Sequence, residues 1–108
     1  MKTWKPASAV FVGGTHQVLS LQGTRVRVKT SMLSAALHDA IGHTQHTALL
    51  AAGSIGFIAN PVRDDILIAF AKHPGTKATS LDALMRSGLF QVFRINCMSF
   101  RQQFEVES

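Results

Sequence analysis

The chain predicts an α+β fold: one small domain over residues 1–108, with an antiparallel sheet from N- and C-terminal strands and two or three helices packed on it. Three observations predict it. Residues 25–29, "RVRVK", alternate basic and apolar side chains with the period of a strand. Residues 32–41 place Met32, Leu33, Ala36, Leu37, Ala40 and Ile41 on one stripe at helical spacing. The tail, "LFQVFRINCMSFRQQFEVES", is rich in Phe and Val, residue types that favour strands.

From the N-terminus, Val10 to Val12 reads as a first apolar run, turned by Gly13-Gly14. Val18, Leu19 and Leu21 make a second run, closed by Gln22-Gly23-Thr24. Residues 25–29 follow as a half-buried strand, the valines on one face and the three cations on the other. Thr30 or Ser31 can cap a helix that ends at Gly42 or runs on to Gly53. "SIGFIANP" reads as a buried strand closed by Asn60-Pro61.

Residues 64–73 fit either periodicity. Ile66, Ile68 and Phe70 alternate, yet Asp64 and Asp65 in front and Lys72 and His73 behind match a helix dipole. The dipole pattern favours a helix, stopped by Pro74-Gly75. Thr79 and Asp82 have capping-box spacing, Leu81, Leu84 and Met85 form a stripe, and Gly88 ends a helix over 80–88. The tail then predicts paired strands with a turn near Asn96.

At 108 residues with 46% apolar and 16% charged side chains, the chain is a folded domain rather than a disordered one. A chain of this size buries about 65% of its unfolded surface, enough for a core without disulfides or a structural metal. Few charges cover the surface, so a second copy is expected to hide some of it: the sequence predicts a homodimer built on the Phe-rich C-terminal strands. Cys97 is the single cysteine. That excludes an internal disulfide and suits a reducing, cytoplasmic setting. Set in "VFRINCMSF", it reads as a small core residue rather than a nucleophile. No run reaches the 18 or more apolar residues of a membrane helix, and the N-terminal apolar run is too short for a secretory leader. No membrane partner is expected.

Net charge is +5 and uneven. Residues 1–54 set Lys2, Lys5, Arg25, Arg27 and Lys29 against Asp39 alone. Such a balance attracts polyanions, and DNA or RNA is the expected partner. Arg25, Arg27 and Lys29 recur every two residues, about 7 Å along a strand, close to the spacing of phosphates along an extended nucleic-acid chain. No aromatic alternates with them, so the row would act by charge and not by base stacking. The other reading is a solvated basic face that keeps an edge strand from aggregating.

A second candidate surface centres on Lys77 and Arg86. Residues 66–89, "ILIAFAKHPGTKATSLDALMRSGL", resemble the front half of a winged-helix DNA-binding domain: an apolar helix, a Pro/Gly turn and a helix with leucines at matching spacing. The resemblance covers 24 of 108 residues and implies helices over 64–73 and 80–88. Where a recognition helix would follow, the chain reads "FQVFRINCMSF", which is β-rich and puts Arg94 at a position for a buried aliphatic. We therefore favour 80–88 as an amphipathic helix packed on a sheet.

Histidine supplies the remaining chemistry. On an unbroken helix Asp39, His43 and His46 would share a face at i, i+4 and i+7. Two could share an ion, but a tetrahedral site needs further ligands, and no HExxH or cysteine pair supplies them. A surface Asp–His pair is the simpler reading. "VGGTH" lacks the spacing of a phosphate loop and reads as a turn. Phe57, Phe70, Phe90, Phe93, Phe100 and Phe104 could line a ligand pocket but are expected in the core. No cofactor, metal or catalytic residue is expected. The sequence favours a non-enzymatic nucleic-acid-binding or regulatory protein. The alternative is a protein–protein adaptor or assembly protein, a role that would fit a mobile-element product. A small-ligand or metal-binding protein ranks below both.

Overall fold

The computed structural model describes residues 3–37, 43–72 and 78–107. Their elements run β1 (Trp4–Pro6), α1 (Ala7–Val10), α2 (Thr15–Ser20), β2 (Arg25–Val28), β3 (Met32–Leu37), β4 (Thr44–Leu50), β5 (Ile55–Val62), β6 (Asp65–Ala71), α3 (Leu81–Ser87), β7 (Phe90–Asn96), α4 (Cys97–Gln103) and β8 (Phe104–Glu107). The eight strands form one sheet in the order β1-β8-β2-β5-β6-β7-β3-β4, with every neighbouring pair antiparallel. The expected antiparallel sheet with short helices is present. Its strands, however, come from the whole chain and not only from the two ends.

β2 follows the sequence reading: Val26 and Val28 are buried while Arg25 and Arg27 point to the other face. Several elements differ from expectation. Residues 32–37 are a strand, not a helix. "MLSAAL" satisfies both periods because its small residues tolerate either, and pairing with β4 and β7 decides. A helical stripe would have buried Leu33, which is instead 70% exposed. Residues 65–71 are also a strand. β6 sits mid-sheet with both faces covered, and Ile66 to Phe70 are all buried, so it shows a continuous apolar run without alternation. That removes the helix–turn–helix order implied by the winged-helix resemblance; its Pro74-Gly75 turn lies outside the described residues.

Neither N-terminal run is a strand: Val10 ends α1 with Phe11 and Val12 beyond it, and Val18 and Leu19 lie in α2. Ala7 and Phe11 are buried one turn apart, and the Phe11 N–H donates to the Ala7 carbonyl at 2.8 Å. Gln17 ties the two turns together: its Oε1 accepts from the Val12 and Gly13 N–H groups, and its Nε2 donates to the Val10 carbonyl. In the tail, Asn96 begins a helix instead of a turn, its side chain accepting from the Ser99 N–H as an N-cap. The helix after residue 80 is present, but Ser80 caps it in place of Thr79, and Gly88 closes it at φ 71° as expected.

One sheet face carries the main core. Val26, Ile58, Ile66, Ile68, Phe93, Ile95 and Val106 pack there under Ala7 and Phe11, Val18 of α2 and Phe100 of α4. The other face is covered by α3, whose Leu84 rests on Phe57 and Ala69. The tail phenylalanines are inward: Phe93, Phe100 and Phe104 are buried and Phe90 half-buried. Among the described residues no helix is long and apolar enough to cross a membrane.

Candidate nucleic-acid interface and the sheet edges

The arginine row faces outward from β2, but it does not face solvent alone. β8 lies beside β2 with Arg27 opposite Glu105, and its acidic side chains share the arginines' face. Arg27 donates to Glu105 Oε1 from Nη2 at 2.8 Å and from Nε at 3.1 Å. Arg25 Nη1 donates to Glu107 Oε2 at 3.0 Å. On the next strand, β1, the Trp4 ring lies 4.5 Å from the Arg27 guanidinium carbon and 5.9 Å from that of Arg25. Partly exposed pairs of this kind contribute about 0–1 kcal/mol each to stability. Their larger consequence is electrostatic. Two of the three cations in the row carry a counter-charge, so a phosphate must compete with a carboxylate already seated.

Sequence reasoning found the row and missed its partners. The available signal was the echo between "RVR" at 25–27 and "EVE" at 105–107: two short alternating stretches of opposite charge. Lys29, just beyond β2, is exposed and has no ion partner among the described residues. Arg86 is exposed in the last turn of α3, on the sheet face that also carries Arg25 and Arg27. Lys77 lies outside the described residues, as does Asp39.

The histidine reading changes with the fold. Thr44–Leu50 is a strand, so His43 and His46 do not share the helix face expected of them, and the part of that reading that falls on Asp39 lies outside the described residues. Among the described residues, no three His, Cys, Asp or Glu side chains gather where they could hold a metal. Cys97 is half-buried, and its thiol donates to the Asp64 carbonyl. Burial raises its pKa above the ordinary value, and the charges of Asp65 and Asp64 push the same way, against a lowering backbone hydrogen bond from Gly14. A thiol held protonated is a poor nucleophile. A cavity of about 390 Å³ opens beside α3, floored by Leu37, Ala59, Leu67 and Val92 and rimmed by Asn60 and Lys72. Among the described residues that line it, Lys72 is the one charged side chain.

The two sheet edges contrast sharply. β1 is three residues long and holds Lys5 and Pro6, the residue types that discourage further strand pairing. β4 is seven residues long, "TQHTALL", with no proline and no Lys, Arg, Asp or Glu. Among the described strands it pairs with β3 alone. Leu33 and Leu49 face each other across the β3–β4 ladder and are 70% and 63% exposed. From residue 30 to residue 62 the chain holds one formal charge, Asp39. Comparison with family models, with curated proteins and with solved structures finds no match to this chain.

Proposed function

We propose that this chain is a non-enzymatic assembly or adaptor protein that takes an extended strand of a protein partner on β4. The supporting observation is that edge: seven uncharged residues, open on one side, beside an exposed leucine pair. Main-chain hydrogen bonds along such an edge supply affinity, and the side chains beside it supply selectivity. Cys97, half-buried and with its thiol held protonated, is a poor nucleophile, which favours binding over catalysis. The test is the size of the tagged chain in extract of cells that make it. It is expected well above 11.7 kDa, and a Leu49→Lys variant is expected to lose that excess. A tagged wild-type chain at its own mass in extract overturns the reading.

Nucleic-acid binding stands as a second reading, supported by the net charge of +5 and by Lys5, Lys29, Arg63, Lys72 and Arg86, which are exposed without ion partners among the described residues. It makes a signed prediction. Arg25→Ala, Arg27→Ala and Lys29→Ala together should weaken binding to DNA or RNA, each lost phosphate contact lowering the log–log salt slope by about 0.7–0.9. Glu105→Gln with Glu107→Gln should strengthen it by releasing the arginines. Lys77→Ala with Arg86→Ala should exceed the strand set if the α3 side is the reader. Absence of salt-sensitive affinity in wild type at low ionic strength removes this reading.

A further inference from the structure

We infer that the strand taken up by β4 is β4 of a second copy, paired antiparallel about a two-fold axis through Thr47. The inference rests on the assembly reading and names its partner. Charge argues for a second copy. The molecule carries +5, so two copies repel wherever their cations meet. The β3–β4 edge carries no Lys or Arg, so copies meeting there bring no like charges into contact. A strongly charged partner strand would find no counter-charge on it.

Register follows from length. Thr47 is the middle residue of Thr44–Leu50, so a two-fold at Thr47 sets the whole strand against the second copy, with the regular stretch His46–Ala48 about the axis and the register irregularity at Gln45 away from it. Any other centre leaves residues over. The axis then sets Thr47 against its own symmetry mate, a favoured cross-strand pair. The exposed Leu33 and Leu49 flank it on the same face. The contact is one strand wide, about 24 Å long at strand rise, and smaller than a standard stable interface of about 1,200–2,000 Å². Its dissociation constant is therefore expected in the micromolar range.

Light scattering on the purified chain, from micromolar to near-millimolar concentration, is expected to show mass rising from 11.7 kDa to twice that value. Leu49→Lys should raise the dissociation constant at least about tenfold, since it replaces an exposed leucine of the paired edge with a lysine, the side chain that blocks edge-to-edge strand pairing, with an unchanged thermal midpoint because the side chain is exposed. Leu19→Lys, an exposed leucine on α2, should leave the dimer intact. In a Cys97→Ser background, Thr47→Cys should give a disulfide-linked dimer on oxidation, since directly opposed antiparallel residues lie within disulfide range. A wild-type monomer at every concentration overturns the inference; if the extract measurement still shows a large complex, the adaptor reading survives with a different partner. A dimer unmoved by Leu49→Lys, or one that fails to cross-link through Thr47→Cys, also overturns it.

Discussion

Phe100→Ala is expected to destabilise the chain by about 3–5 kcal/mol, the range for truncating a fully buried phenylalanine. Phe100 is 0% exposed. Its ring meets Phe11 edge-on with centroids 5.3 Å apart, and the Phe104 ring lies 5.2 Å from it, tilted. The contacts continue from Phe104 to Phe70 at 6.5 Å and from Phe70 to Phe93 at 5.6 Å. Phe100 thus joins the helical cap to the sheet. α1 has four residues and α4 seven, too few to persist as isolated helices, so their order depends on this packing. The thermal midpoint should fall by about 15 °C or more. Met98→Ala, on the same helix but exposed, should change stability by less than about 0.5 kcal/mol. A Phe100→Ala chain within about 1 kcal/mol of wild type would mean that α4 does not close the core.

The elements legible in the sequence are those in which one period excludes the other. "RVRV" can hide its valines only as a strand, and Leu81, Leu84 and Gly88 fit only a capped helix. β3 and β6 failed for opposite reasons. "MLSAAL" has Ser34, Ala35 and Ala36 at its centre, small enough to sit on a helix or a sheet, so its state is set by β4 and β7, which no local window contains. "ILIAF" is apolar on both faces because α3 covers one side of β6 and the main core the other. Charges at its ends imitate a helix dipole while serving the sheet: Asp65 holds Arg94 of β7. α1 and α2 are shorter than the windows in which periodicity can be read.

The candidate site divides along the same line. The direction of the arginine row was readable because alternation is local. Its neutralisation was not, because Glu105 and Glu107 lie 78 and 82 residues further along the chain than their partners. The free edge was hidden for the same reason as β3: while 32–41 reads as a helix, there is no β3–β4 hairpin whose outer strand could stand open. The uncharged stretch from 30 to 62 was visible throughout, but composition alone does not say that it forms a sheet edge.

Gly56→Ala is expected to cost about 1–3 kcal/mol, a large effect for one methyl group. Gly56 sits in β5 opposite Phe70. A Cβ built there would lie 2.8 Å from Phe70 Cε2, 2.9 Å from Cδ2 and 2.8 Å from the Ala69 carbonyl oxygen. The ring occupies the place of the missing side chain, and it cannot retreat freely because Phe93 and Phe104 hold it. The contrast is Gly88, where nothing lies within 4 Å but φ is 71°, so an added methyl costs backbone strain of about 1 kcal/mol and meets no neighbour. The two mechanisms separate in a double-mutant cycle measured by urea unfolding. Phe70→Leu alone should destabilise by opening space beside Gly56, and the Gly56→Ala, Phe70→Leu pair should cost less than the sum of its members because the methyl group enters that space. Recovery should stay incomplete, since the Ala69 carbonyl belongs to the neighbouring strand and shifts only with the ladder. Gly88→Ala combined with Phe70→Leu should be additive. Strict additivity in the Gly56 cycle would show that the ring yields without cost and that the carbonyl alone excludes a side chain.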